Sequence, residues 1–229
     1  MTSCSICVAA YNEEANIGAL LDAVAAAARK ISSFSLDEII VVVSGSTDRT
    51  EEIVSAKAKM DPKIRLIVQE KREGKASAIN LLLKAASGEI IILISADTVP
   101  ETGAFEKLLE PFSDPKTGMT GGKPVPVDKP DHFISYAVRL MWDMHDKLAR
   151  LKPKLGELIA FRKVFDEIPE FTAVDEVSIE SMVVDRGYRL RYVSDAVVRN
   201  KGPENVREFI SQRRRIYAGH LYVRKTTGY

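Results

Sequence analysis

Cysteine is nearly absent: Cys4 and Cys7 are the only two in 229 residues. Without a second pair they do not supply the four ligands of a structural zinc site. They fall in or beside the run Ser5-Ile6-Cys7-Val8-Ala9, which reads as a strand. Residues three apart in a strand point to opposite faces, so the two thiols are not expected to meet. Unpaired thiols suit a reducing, cytosolic compartment. Long hydrophobic runs are also missing. No stretch approaches the roughly 20 apolar residues that cross a bilayer. No basic stretch leads into an apolar core at the start, so no secretory signal is expected. Neither sign of charge is in excess: 33 Lys and Arg against 32 Asp and Glu leave a net charge of +1. A global attraction to nucleic acid is thereby excluded, and any basic site is local. Asn and Gln are sparse, which suits a thermophilic source. No G-x-G-x-x-G follows the first strand and no G-x-x-x-x-G-K-[ST] occurs, which argues against Rossmann dinucleotide binding and P-loop chemistry. The histidines His132, His145 and His220 are scattered and form no evident metal trio.

What is present is a soluble globular composition, 45% hydrophobic and 28% charged. The length fits one large domain, or one domain with an extension, at about 100–200 residues per domain. Strands are expected over Ser3–Ala10, Leu36–Val43 and Ile64–Val68. Helices follow them, with Ile17, Leu20, Leu21 and Val24 at helical spacing, a start near Thr50, and a stretch from Ala76 to Ala86. Ile90-Ile91-Ile92-Leu93-Ile94 is an unbroken apolar run of the kind buried on both sheet faces, and it leads into Ser95-Ala96-Asp97. The alternation β-α-β-α-β-α-β predicts a mostly parallel sheet with helices on both faces. Right-handed crossovers gather the polar loops at one edge, so Asn12, Ser44 to Asp48, Lys75 and Asp97 should line one cleft. Asp97 at a strand end suits a metal that grips a diphosphate, but equally a helix N-cap.

The second half is less regular. Helices are expected over Gly103–Phe112, His132–Arg150 and from Asp175 to a stop at Gly187. Gly118–Val127 reads as an edge strand, Gly156–Phe161 as a short strand or turn, and Tyr188–Val198 as a strand. From Arg199 onward the chain is strongly basic.

Several segments together resemble family 2 glycosyltransferases of the GT-A fold, in the family's order. Ala9-Ala10-Tyr11-Asn12-Glu13-Glu14 is similar to P-A-Y-N-E-E, and Ser44-Gly45-Ser46-Thr47-Asp48-Arg49-Thr50 to D-G-S-T-D-x-T. Gly74-Lys75-Ala76-Ser77-Ala78-Ile79-Asn80 is similar to G-K-x-x-A-L-N, and Ser95-Ala96-Asp97 to the metal-binding D-x-D. Gly156 to Arg162 resembles G-x-x-x-A-F-R, Asp175-Glu176 with Gly187 resembles E-D-x-x-L…G-Y-R, and Gln212 to Ile216 resembles the Q-x-x-R-W of cellulose-synthase-like members. The departures are the missing first proline, Ser44 and Ser95 in place of Asp, the inverted acid pair, and Ile216 in place of Trp.

The resemblance implies an α/β GT-A (Rossmann-like) fold. It also implies a nucleotide-sugar-binding half at 1–100, an acceptor-binding half at 101–200, and a basic, membrane-proximal segment at 201–229. It implies inverting transfer of a hexose from GDP-mannose or a UDP-hexose, with Mg²⁺ or Mn²⁺ on Asp97. Losing the Asp at position 44 leans the donor towards GDP-mannose. Ala10, Tyr11, Asn12, Glu13, Ser44, Asp48, Lys75, Ser95 and Ala96 would bind the donor, with Gln212 and Arg215 closing over the diphosphate or the acceptor. Glu176, or its neighbour Asp175, would be the general base. Asn12 and Asp48 equally suit turns that bond their own backbone. A lysine opposes the dipole at a helix start, which favours a phosphate partner for Lys75. The acceptor would be lipid-linked or a glycan, and the tail's arginines would face anionic lipid at the cytoplasmic side of a membrane. The helix carrying Tyr136, Leu140, Met141, Trp142 and Met144 would lie on that membrane, cover the acceptor site, or simply pack in the core. A sugar-phosphate nucleotidyltransferase, a degenerate nucleotide-sugar-binding module and a nucleic-acid-binding module are the rival readings.

Overall fold

The computed structural model describes residues 1–127, 133–170, 174–203 and 205–229; His132 lies outside them. The first half alternates as its sequence dictates: β1 (Ser3–Ala10), α1 (Ile17–Ala28), β2 (Ser35–Ser44), α2 (Thr50–Met60), β3 (Ile64–Gln69), α3 (Lys75–Ala85), β4 (Ile90–Ser95). Then come β5 (Thr98–Pro100), α4 (Ala104–Leu109) with a 3₁₀ turn, β6 (Thr117–Pro126), α5 (Phe133–Leu151), β7 (Leu158–Arg162), α6 (Asp175–Asp185), β8 (Arg189–Asn200) and α7 (Val206–Thr227).

One sheet of eight strands runs in the order β3-β2-β1-β4-β7-β6-β8-β5. β3, β2, β1 and β4 are mutually parallel, β7 is antiparallel to both β4 and β6, and β8 is parallel to β6. β1 is flanked by β2 and β4, with Ala9 opposite both Val42 and Ser95. The three following loops therefore leave the sheet side by side.

The hydrophobic run of β4 is buried on both faces because each face has its own core. Ile90, Ile92 and Ile94 pack with Cys4, Ile6 and Val8 of β1 against α1 and α4. Ile91 and Leu93 pack with Cys7 against Ile79, Leu82 and Leu83 of α3 and Ile179 of α6. Cys4 and Cys7 thus lie on opposite faces, both buried and unpaired. At the end of the sheet away from the loops, buried Glu38 accepts hydrogen bonds from Ser5 Oγ (3.1 Å) and Ser87 N (2.8 Å) and pairs with Arg65.

The segment expected to be an edge strand, β6, sits inside the sheet between β7 and β8. Its punctuation has other causes. A Cβ at Gly118 would lie 2.3 Å from Tyr188, and one at Gly121 would lie 2.7 Å from Leu155. Pro124 and Pro126 fall beyond the stretch paired with β7, where only β8 adjoins the strand. The basic tail is a 22-residue helix, α7, capped by the Asn205 side chain, which accepts from Glu208 N at 3.0 Å.

Candidate active site

A cleft of about 640 Å³ opens at the C-terminal ends of β1, β2 and β4. At one end lie Ala10, Tyr11, Glu13 and Ser44, with Arg72 stacked over the Tyr11 ring at 3.8 Å. The loops after β2 and β3 touch closely here: a Cβ on Gly45 (φ 59°) would lie 2.4 Å from Arg72 N. Ser44 Oγ donates to Gln69 Oε1 (2.6 Å), and Gln69 Nε2 donates to Glu73 (2.6 Å) and Ser77 (2.9 Å). Asn12 and Asp48 do not line the cleft. The Asn12 carboxamide accepts from Thr47 N (2.8 Å), and Asp48 accepts from Glu14 N and Thr50 N, both at 3.0 Å. Both residues tie the first loop to the second, which is the turn role their residue types also suit.

Ser95 ends β4, and it lines the cleft together with Ala96 and Asp97 of the turn that follows. β5 begins directly after Asp97, so Asp97 is not a helix cap. Its carboxylate is exposed and has no hydrogen bond or ion pair among the described residues. Opposite it, α6 starts with Asp175 and Glu176. Lys75, at the start of α3, puts its Nζ 3.2 Å from Asp175 Oδ2 and 3.0 Å from Glu176 Oε1. Burial opposes charge on all three groups, with different results. The neighbouring carboxylates raise the Lys75 pKa despite burial. Lys75 and the helix N-terminus hold Glu176 below the usual carboxylate range. Asp175, deeper, is pushed up by burial and by the charge of Glu176. The other oxygen of Asp175 is buried without a partner among the described residues. Asn80, which closes the Gly74–Asn80 motif, is structural: it exchanges hydrogen bonds with the backbone of Ile168 (2.8 and 3.0 Å) and so anchors the segment leading to α6.

The cleft also collects residues with no cleft role of their own legible in the sequence. Glu157 precedes β7 in a left-handed conformation (φ 59°). Burial pushes its carboxyl up to about 7, helped by the charges of Asp97 and Glu176. Lys154, Arg213 and His220 line the cleft as well, as does the expected Arg215. Arg213 donates to Met141 Sδ (3.1 Å) and to Gln212 (3.1 Å), so Gln212 serves Arg213 and does not line the cleft. Glu157 occupies a variable position of its motif, and Arg72 and Arg213 reach the cleft only through tertiary packing. None of the three carries a sequence signal of its own.

Among the described residues no three His, Cys, Asp or Glu side chains cluster as a metal cage. Asp97 and the Ser95 hydroxyl are hard oxygen donors that suit Mg²⁺ or Mn²⁺, provided that phosphate oxygens complete the shell.

The sequence model of glycosyl transferase family 2 matches residues 5–182. The chain belongs to this family. A dolichyl-phosphate beta-glucosyltransferase, ALG5C of Trichomonas vaginalis, is 38% identical over 104 residues, covering 44% of this chain and 31% of that protein. A poly-beta-1,6-N-acetyl-D-glucosamine synthase of Staphylococcus aureus is 34% identical over 118 residues, covering 51% of this chain and 27% of that protein. The chain thus spans about a third or less of these curated relatives. Among solved structures, the mannosyltransferase PcManGT from Pyrobaculum calidifontis, in complex with GDP-Man and Mn²⁺, superposes with a TM-score of 0.75 at 25% identity. The match covers 95% of this chain and 61% of that one. Glucosyl-3-phosphoglycerate synthase from Mycobacterium tuberculosis shares the fold (TM-score 0.67, 21% identity, 96% of this chain and 79% of that one). The eight-stranded α/β sheet is the GT-A fold of family 2.

Proposed function

We propose that the chain is the catalytic region of an inverting, metal-dependent hexosyltransferase that moves a sugar from a nucleotide diphosphate to a lipid-linked acceptor at a membrane. One observation carries this reading: Asp97, in the turn after β4 and without a partner among the described residues, and Glu176 in the first turn of α6 line the same cleft, with Lys75 beside the acid pair. The relatives support it. One is named for a dolichyl-phosphate acceptor, and one structure holds GDP-Man with Mn²⁺.

Each group then has a task. The Tyr11–Arg72 stack walls the nucleotide end. Ser44 gives its proton to Gln69 and keeps an oxygen lone pair to accept from a base N–H. A serine there, where relatives have the Asp that helps recognise uracil, favours GDP-mannose over a UDP-hexose. Lys75 and Arg215 offer cations to the diphosphate. Asp97, with Ser95, would hold the divalent ion. When bound, that ion acts as a Lewis acid towards the leaving diphosphate. Glu176 takes the proton of the acceptor hydroxyl as the oxygen attacks the anomeric carbon from the face opposite the leaving group, which inverts that centre. While Lys75 lies 3.0 Å away, Glu176 is a weak base. A diphosphate competes for the same ammonium, so donor binding restores the basicity of Glu176. The basic face of α7 would lie against an anionic membrane, on its cytoplasmic side given two free thiols. Among the described residues no helix is long and apolar enough to cross a membrane.

The test is Glu176→Gln. Donor binding should persist while transfer falls by about 10²–10⁴, the usual worth of a general base. Undiminished transfer sinks the assignment. The same loss in Asp175→Asn, with Glu176→Gln active, moves the role back one residue.

A further inference from the structure

A lipid-linked acceptor needs somewhere to put its hydrocarbon, and α5 offers a place. Its exposed side carries Phe133 (79% exposed), Tyr136, Leu140 (47%), Met144 (54%), Leu148 and Leu151 (85%). At 100° per residue these six fall within a sector of about 120°, about 27 Å long at 1.5 Å per residue, interrupted by exposed Lys147. A surface helix normally turns charge outward, and an apolar stripe of this extent marks an interaction site. Along it runs a shallow, open groove of about 430 Å³ lined, among the described residues, by α5 alone, through Ala137, Leu140, Met141, Met144, His145 and Leu148. Met141 and His145 also line the catalytic cleft, so the groove continues the cleft onto the outer face of α5.

The junction between the two is cationic. Arg213 reaches Met141 Sδ at 3.1 Å, its Nε is buried without a partner among the described residues, and Lys154, whose charge acts on His145, also lines the cleft. A phosphate suits that position, because guanidinium and ammonium donors meet its oxygens. Beyond it the wall turns to methionine and leucine, and flexible thioether side chains mould to an irregular chain. Charge and apolarity therefore occur in the order of a phosphate followed by a hydrocarbon.

We propose that the α5 groove binds the hydrocarbon chain of the acceptor, with the acceptor's phosphate at the Arg213–Met141 junction. This rests on the lipid-linked acceptor proposed above. Trp142, the single tryptophan, lines the cleft next to Met141 and reports binding by its fluorescence. The probes are geranyl phosphate, farnesyl phosphate and inorganic phosphate, titrated into the whole chain. Farnesyl phosphate should bind at least tenfold more tightly than geranyl phosphate, since a longer chain buries more apolar surface. In Leu140→Glu with Met144→Glu, both exposed positions, that ratio should fall to about one, with inorganic phosphate and nucleotide binding unchanged.

Equal affinity for both chain lengths, or a variant that keeps the wild-type ratio, overturns the groove assignment. So does a variant that loses sedimentation with phosphatidylglycerol vesicles while keeping its farnesyl phosphate affinity, because the stripe then docks a bilayer. Failure of the underlying reading looks different: the wild type binds no isoprenyl phosphate and transfers sugar only to water-soluble acceptors.

Discussion

Glu157 shows how much of the site's electrostatics depends on one residue. It holds a left-handed backbone (φ 59°), which costs a non-glycine residue about 1–3 kcal/mol, and it points a carboxyl towards the charges of Asp97 and Glu176. Burial and those charges raise its pKa from 4.5 to about 7. Between these values the folded protein keeps a proton that the unfolded chain has released. Stability contributed by this group therefore declines as pH rises through the window. Urea midpoints of wild type and Glu157→Gln at pH 5, 6, 7 and 8 should diverge with rising pH, the variant losing less; parallel curves contradict the assignment. Asp97 and Lys75 were legible in the sequence because each flanks an element with a clear apolar pattern, whereas Glu176 was marked by the resemblance of its acid pair to the family motif. Glu157, Arg72 and Arg213 were not, because only tertiary packing brings them to the cleft.

At the scale of the element, the junction of β1 and β4 shows why particular residues are fixed. Gly88 N donates to Ser5 Oγ at 2.9 Å, and a Cβ there would sit 2.5 Å from Ser5 N and 2.6 Å from the Cys4 carbonyl carbon. Backbone cannot yield as a side chain end does. Gly88→Ala should cost about 1–3 kcal/mol, as overpacking does elsewhere. An unchanged denaturant midpoint would show that the junction is looser than its geometry. The strands and helices up to β4 follow their hydrophobic periods, and their bounds differ from the sequence expectation by only a residue or two in most cases. β6 was misplaced at an edge, because glycine and proline do not say whether they relieve crowding or end pairing. α7 was read as a basic segment with a Q-x-x-R-W-like motif and not as a helix: its Val206, Ile210, Tyr217 and Leu221 share a stripe but remain exposed, so they give no core signal.

At the scale of the molecule, the sheet brings distant loops into one cleft. Its parallel strands β2, β1 and β4 release their following loops side by side, and β7 lies antiparallel next to β4. The Lys75–Glu176 pair then bridges residues 101 positions apart across the cleft. In the proposed function Asp97, with the Ser95 hydroxyl beside it, makes nucleotide binding metal-dependent. Thermal unfolding with GDP or UDP, with and without Mn²⁺, tests it most directly. At a nucleotide concentration about 100 times its Kd the wild type should gain roughly 2.7 kcal/mol, a rise in Tm of about 5–10 °C, only when Mn²⁺ is present. In Asp97→Ala the Mn²⁺-dependent rise should vanish. An undiminished rise in Asp97→Ala, or a wild-type rise indifferent to Mn²⁺, would contradict the account.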